Sequence, residues 1–182
     1  EMLEISSTPL VIIAILGTVG VLLPIISIAR KEKGSNSFYA VIAFAALIVS
    51  IGYVAYQFLT DNILPSALFS EDVLVDDAFG GFFAIGMLIV AIFTTVGSFN
   101  YMRKKNYPAV YYSLILLSTI GMVLVAYSTD LVMLFVAWEL MSIPTYVLVG
   151  FMKKNPSSNE AALKYFLFGA LSSAIIVYGI SL

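Results

Sequence analysis

The sequence contains no cysteine and no histidine. Their absence excludes disulfides, thiolate chemistry, and zinc, haem or iron–sulfur ligation of the usual types by these side chains. We therefore expect no metal or cofactor site in this chain, and any redox centre to belong to a partner. The sequence also lacks a glycine-rich phosphate loop and a nucleophile constellation, and we expect no binding of nucleic acid.

Charged residues are scarce as well. They make up 11% of the 182 residues, and 61% are hydrophobic, whereas about a quarter of the residues in a soluble domain are charged. The composition therefore predicts an integral membrane protein whose main surroundings are the lipid bilayer.

Six apolar stretches have the length of about 20 residues that a helix needs to cross a bilayer. They run over residues 8–29, 38–59, 79–101, 108–127, 131–151 and 158–182. The sequence thus predicts an all-α, polytopic transmembrane helix bundle with six spans. We divide it into a three-helix membrane segment over residues 1–106 and a second segment over residues 107–182.

The basic residues predict how the spans are oriented. Eight of the nine follow the first, third or fifth helix, in alternate loops. The positive-inside rule makes these loops cytoplasmic, which places the N-terminus outside and the protein in the cell (inner) membrane. The eight residues are Arg30, Lys31, Lys33, Arg103, Lys104, Lys105, Lys153 and Lys154.

Two connections carry predictions of their own. The long outer loop over residues 61–78 mixes apolar and acidic residues and could fold as a short interfacial helix or hairpin. We expect an ordered loop that lies on the outer surface, and the alternative is a binding site. The connection over residues 128–130 is so short that the fourth and fifth helices must be antiparallel neighbours. We also expect the helix glycines to permit close helix packing. These are Gly17, Gly20, Gly86, Gly97, Gly121 and Gly169.

Glu139 lies near the middle of the fifth span. An ionisable residue there costs roughly 2.5–3.5 kcal/mol on insertion scales, which makes it a functional hypothesis by default. Pro144 has no N–H to bond the carbonyl of Leu140, so the helix is loosened beside the carboxylate. We interpret this as an internal wet site that carries protons. The alternative is a protonated structural acid, hydrogen-bonded to Ser142, to Thr145 or to another helix.

Lys164 is the only basic residue inside a span. It either pairs with Glu160 and extends back to the cytoplasmic face, or it is a proton-relay group. At about 1.5 Å per residue, Glu139 lies roughly 20 Å from the cytoplasmic end of its helix and Lys164 about 9 Å from that face. We therefore expect a water-bridged relay and no direct ion pair. Ser157 and Glu160 have capping-box spacing and predict the start of the sixth helix.

Four motifs together resemble the antiporter-like membrane subunits of respiratory complex I, and within them the subunit N group of NADH–quinone oxidoreductase. They are YSLILLSTIGM at 112–122, DLVMLF at 130–135, WELMSIPTYVL at 138–148 and SNEAALKYFLFG at 158–169. The resemblance is dense from about residue 73 onward, and earlier residues match only in topology.

The resemblance implies a proton-translocating membrane-arm subunit without a redox centre of its own. Glu139 matches the glutamate of the family's fifth helix, and Lys164 matches the lysine of its sixth. NAD(H), flavin, iron–sulfur clusters and quinone are then expected in partner subunits of a complex I-like assembly. Family members have about fourteen helices, so we expect this chain to be their N-terminal part, with residues 107–182 beginning the antiporter-like bundle. Alone, it is not expected to pump.

Three alternatives stay open at this point. A subunit of a multi-subunit cation/proton antiporter, or of a membrane-bound hydrogenase, would carry the same superfamily motifs. A structural membrane scaffold with a neutral, inert acid belongs to another class. Neither the electron donor nor the choice between H⁺ and Na⁺ follows from the residues.

Overall fold

The computed structural model describes residues 8–30, 36–60, 73–103 and 105–182. Within these residues the chain forms six α-helices, each long and apolar enough to cross a membrane. They confirm all six predicted spans to within two residues at either end. The side of the membrane on which each loop lies stays a prediction. The helices are α1 (Thr8–Arg30), α2 (Asn36–Leu59), α3 (Ala78–Met102), α4 (Pro108–Tyr127), α5 (Leu131–Val149) and α6 (Pro156–Ile180).

Aspartate side chains begin two of the helices. Asp77 Oδ1 accepts a hydrogen bond from Gly80 N at 2.7 Å at the start of α3. Asp130 Oδ1 accepts from Val132 N and Met133 N, both at 2.9 Å, at the start of α5. A side-chain cap of this kind contributes about 1 kcal/mol by satisfying backbone N–H groups that have no partner within the helix.

The start of α6 differs from the prediction. Asn155 is the N-cap, and its Oδ1 accepts a hydrogen bond from Ser157 N at 3.1 Å. The prediction that Ser157 and Glu160 form a capping box at the start of α6 is therefore wrong. The physical reason is Pro156, whose missing N–H suits the first helical position, so that the cap falls on the residue before it.

Helix α4 is the centre of the bundle. It is in contact with α1, α2, α3 and α5, whereas α6 contacts only α5 among the described helices. Buried residues make up 61% of the α4 span and none of the α6 span. The predicted antiparallel pairing of the fourth and fifth helices is confirmed. Helices α1, α2 and α3 all pack on α4, across the predicted division near residue 106. The division into two segments stays a prediction.

For four of the six glycines named above, a built Cβ atom would meet an atom of another helix, in ordinary van der Waals contact at Gly17 and Gly20 and in overlap at Gly121 and Gly169. A Cβ atom built on Gly20 would lie 3.7 Å from Leu116 on α4, and one on Gly17 would lie 3.7 Å from Ile120. Gly121 and Gly169 make still closer approaches, described below. Among the residues that the structure describes, no atom lies within 4 Å of a Cβ built on Gly86 or Gly97, so close packing at these two glycines stays a prediction.

A short extended segment joins α3 to the turn between α4 and α5. Leu74 and Ser128 form an isolated antiparallel bridge, with Val75 N donating to Tyr127 O at 3.0 Å and Thr129 N donating to Val73 O at 3.2 Å. Residues 61–72 of the predicted helix or hairpin lie outside the described residues.

Asp76 follows this bridge and ties α1 to the entry of α3. Its side chain is only 2% exposed, and Oδ2 accepts a hydrogen bond from Thr8 N at 2.8 Å. Burial raises the pKa of Asp76 above its ordinary value; the bond from Thr8 acts in the opposite sense, and the nearby Asp77 raises the pKa further. A raised folded-state pKa means that folding favours the protonated carboxyl.

The sign of this effect gives a stability prediction. Stabilisation by Asp76 is complete below the ordinary aspartate pKa of about 3.9 and declines as pH rises through the raised value. Asp76→Asn keeps an acceptor for Thr8 N–H without the charge. The melting temperature of this variant, relative to that of the wild type, should therefore increase as pH rises from 4 to 8. Asp76→Ala is the control: it loses the acceptor and should be less stable than Asn by about 1 kcal/mol. A difference between Asn and wild type that does not change with pH would contradict the prediction.

Candidate functional site

Glu139 lies near the middle of α5, half-buried between α5 and α6. Ser173 of α6 donates a hydrogen bond from Oγ to Glu139 Oε1. The site is therefore a carboxyl and a hydroxyl that meet across a helix interface at membrane depth. It lies within an interface, where polar atoms of two helices can partner each other.

Ser142 and Thr145, the serine and threonine hydroxyls on the carboxyl's own helix, are engaged elsewhere. Ser142 Oγ donates to Trp138 O at 2.8 Å, and Thr145 Oγ1 donates to Ser142 O at 2.6 Å. Of the partners that the sequence left open for Glu139, the structure shows the one on another helix.

The register between α5 and α6 brings Ser173 to Glu139. The helices are antiparallel, and their facing residues are small or aromatic. Near the connecting loop, a Cβ built on Gly150 would lie 2.9 Å from Ala162 Cβ. Further along, the ring of Tyr146 fits over Gly169, where a built Cβ would lie 2.7 Å from Tyr146 Cζ.

Aromatic contacts hold Tyr146 in this place. Its ring packs edge-to-face on Tyr165 and on Phe166, with centroids 4.9 and 5.8 Å apart. Seven residues separate Glu139 from Tyr146 on α5, and four separate Gly169 from Ser173 on α6. The same interface therefore continues from the Tyr146 ring to the Glu139 carboxyl.

Helix α4 supports α5 from the other side. Ser118 Oγ donates to Met141 O at 3.0 Å. Gly121 faces the backbone itself, since a Cβ built there would lie 2.6 Å from Met141 Cα and 2.8 Å from the carbonyl carbon of Leu140. Helix α5 continues through Pro144, which has no N–H for the Leu140 carbonyl. The backbone beside Glu139 is thus fixed by α4 on one face.

Lys164 is not brought to Glu139. Its Nζ lies 2.5 Å from Glu160 Oε1, and the two side chains are 66% and 65% exposed. Lys164 precedes Ser173 by nine residues on α6, which is about 14 Å along a helix axis. The expectation that the two residues form no direct ion pair agrees with this geometry. The roles of Glu139 and Lys164 in proton transfer stay predictions.

Sequence reasoning missed Ser173 and Tyr146 as parts of the site. The available signal was the spacing of Gly169 and Ser173, two small residues four apart, which is typical of a helix face packed closely on another. Over residues 8–30, 36–60, 73–103 and 105–182, no group of three or more acidic, histidine or cysteine side chains could hold a metal ion.

Comparison with known proteins gives the family context. Residues 128–182 match a family described as NADH:quinone oxidoreductase/Mrp antiporter, transmembrane. NADH-quinone oxidoreductase subunit N of Desulfitobacterium hafniense is 36% identical over 94% of this chain and 34% of its own length. F(420)H(2) dehydrogenase subunit N of Methanosarcina mazei is 32% identical over 88% of this chain and 33% of its own length. The chain thus spans about a third of the length of these relatives.

Among solved structures, the chain resembles one from the respiratory complex I of Thermus thermophilus with bound aureothin. The two superpose with a TM-score of 0.72 at 25% identity, over 92% of this chain and 35% of the other. The segment that carries Glu139, Ser173 and Lys164 lies within the residues that match the family.

Proposed function

Because this chain belongs to the family of antiporter-like membrane subunits that includes NADH-quinone oxidoreductase subunit N, we propose that it translocates protons in the membrane arm of a complex I-like quinone oxidoreductase. The observation that carries the proposal is the carboxyl of Glu139, half-buried in the α5–α6 interface and hydrogen-bonded by Ser173. A carboxyl at that depth is costly and marks ion or proton pathways.

Glu139 would act as a proton carrier. Protonation makes the carboxyl neutral, and deprotonation restores a charge that nearby dipoles and water must stabilise. The Leu140 carbonyl, which Pro144 cannot bond, offers an acceptor for such a water beside the carboxyl. This arrangement supports a site that loads and unloads protons.

The electron-transfer chemistry would belong to partner subunits. The relatives are named for different electron donors, NADH in one and F420H2 in the other, which fits a subunit that does not itself bind the donor. We expect NAD(H) or a related donor, flavin, iron–sulfur clusters and quinone in those partners. The loops that carry basic residues would face the cytoplasm.

Proton transport by the assembled complex tests the proposal. Vesicles that contain the complex are energised with electron donor and quinone, and proton uptake is measured per quinone reduced, for wild type and for Glu139→Gln. Loss of proton uptake in an assembled variant supports the proposal, and an unchanged ratio supports a structural scaffold.

The family description also names the Mrp antiporter, which makes a cation/proton antiporter subunit the second candidate. In that case transport should require Na⁺ and should proceed without quinone reduction. Omission of Na⁺ from the same vesicles distinguishes the two.

Lys164 gives a prediction about electrostatics. Lys164 lies about 14 Å along α6 from Ser173, the partner of Glu139. At that separation and an effective dielectric constant of about 20, one charge would change the energy of the site by about 1 kcal/mol, or about fivefold in rate. This is an upper limit, because the Lys164 side chain is 66% exposed and solvent screens its charge. If Lys164 provides a field for the proton site, Lys164→Met and Glu160→Gln should change the rate of proton uptake in opposite directions. The double variant, which restores the local net charge, should return close to the wild-type rate.

These variants also test the other interpretation of Lys164. A lysine that only extends to the cytoplasmic face should tolerate both single substitutions with less than a twofold change in rate. The amount of assembled complex, measured for every variant, separates a rate effect from poor assembly.

A further inference from the structure

Ser173 is the hydroxyl that holds the Glu139 carboxyl in this structure. Ser142 and Thr145, the hydroxyls next to Glu139 on α5, both donate to backbone carbonyls of α5. Ser118, the hydroxyl that α4 contributes, donates to Met141 O. These three hydroxyls therefore donate their hydrogens to backbone carbonyls and not to the Glu139 carboxyl.

Ser172 shows what a serine on α6 does when no carboxyl faces it. Its Oγ donates to Phe168 O, one turn earlier on the same helix, at 2.9 Å. This is the usual back-bond of a serine within a helix. Ser173 is adjacent in sequence but faces α5, and its hydroxyl donates across the interface.

A hydroxyl has the chemistry to hold a carboxyl in both protonation states. It has one hydrogen to donate and two lone pairs to accept with. In the direction found here, it donates to Oε1, which is the arrangement an ionised carboxyl requires. When Glu139 binds a proton, the new carboxylic O–H can donate to Ser173 Oγ instead. The serine hydrogen is then released, and the carbonyl one turn earlier, that of Gly169, is its natural acceptor.

In this exchange the serine hydrogen turns from Glu139 to the Gly169 carbonyl by rotation about the Cβ–Oγ bond. Tyr146 over Gly169 and the close approach of Gly150 to Ala162 keep the two helices in register while it occurs. Backbone movement, which would disturb the close packing of α5 on α4 at Gly121, is not needed.

We propose that Ser173 is a positioning residue for proton transfer, which keeps the Glu139 carboxyl at the α5–α6 interface in both protonation states by reversing the direction of their hydrogen bond. The proposal rests on the proposed function of Glu139 as a proton carrier. A serine that only stabilised helix packing would have no effect on the carboxyl's bonding.

The experiment compares Ser173→Ala, Ser173→Thr and Ser172→Ala in the assembled complex. Infrared difference spectra between acid and alkaline pH report the C=O stretch of protonated Glu139, identified as the band that is lost in Glu139→Gln. The rates of proton uptake and of quinone reduction are measured on the same preparations.

Ser173→Ala should move the carboxyl band to higher wavenumber, because the protonated acid loses its acceptor. It should also lower the rate of proton uptake by about tenfold, the scale expected for one hydrogen bond to a charged group. Ser173→Thr keeps the hydroxyl and should restore both values. Ser172→Ala, the matched control, should change neither.

Two results would overturn the proposal. An unmoved band in Ser173→Ala would mean that the hydroxyl does not bond Glu139, and a moved band with normal proton uptake would mean that the bond does not position the carboxyl for transfer. Both leave the proposed function of Glu139 intact. That function fails by a different result, normal proton uptake in Glu139→Gln.

Discussion

Glu139→Gln should reduce the rate of proton uptake by about 100-fold or more, the range associated with removal of a group that transfers protons. The amide has nearly the same shape as the carboxyl, and its oxygen can still accept the hydrogen bond from Ser173. The α5–α6 interface should therefore be preserved. Only the ability to bind and release a proton is lost. Proton uptake and quinone reduction, recorded together in vesicles, provide the measurement.

Glu139→Asp is a second variant, which tests the position of the carboxyl and not its presence. It keeps the titratable group but shortens the side chain by one methylene, so the carboxyl is drawn away from Ser173 on α6. We expect partial activity, between that of Gln and that of wild type. If both variants assemble and pump at the normal rate, Glu139 is a structural acid and the proposed function is wrong.

The six spans follow from sequence because length and hydropathy alone determine which segments can cross a bilayer. The observed helices differ from the predicted bounds by two residues at most. Two of the four two-residue differences fall at the α5–α6 loop, where Asn155 and Pro156 set the helix start. Capping depends on one side-chain orientation, which the spacing of Ser157 and Glu160 does not fix.

Hydropathy does not predict which helix is central. The α1 span has a mean hydropathy of 2.7 and is 22% buried, whereas the α4 span has 2.1 and is 61% buried. Lipid and the protein interior are equally apolar, so hydrophobicity gives no preference between them. Small and hydroxyl residues favour the protein interior over lipid. Helix α4 has four of them among its buried residues, Ser113, Ser118, Thr119 and Gly121.

The acid of the site was predictable and its partner was not. Glu139 is conspicuous because an ionisable residue at mid-span is rare. Ser173 is one of several serines in α6, and only the three-dimensional register distinguishes it from Ser172. That register depends on the contact of Tyr146 with Gly169, which combines residues far apart in sequence.

Gly121→Ala should have the largest structural effect of the substitutions considered. The added methyl group would lie 2.6 Å from Met141 Cα and 2.8 Å from the carbonyl carbon of Leu140. These are backbone atoms, so no side-chain rotation can relieve the overlap and α4 must separate from α5. We expect a loss of about 3 kcal/mol, at the upper end of the range for overpacking. Thermal unfolding and the yield of assembled complex measure it.

The same substitution should also impair transport, because Leu140 and Met141 follow Glu139 directly and Ser118 would lose its bond to Met141 O. Gly86→Ala is the matched control: it adds the same methyl group within helix α3, where it would meet no other helix or side chain of the described residues within 4 Å. It should leave stability within about 1 kcal/mol of wild type, the difference in helix propensity between the two residues. Equal stability of the two variants would show that α4 and α5 are not held together at Gly121. Destabilisation by Gly121→Ala alone, with normal proton uptake in the fraction that assembles, would show that this contact supports the fold but not the position of the carboxyl.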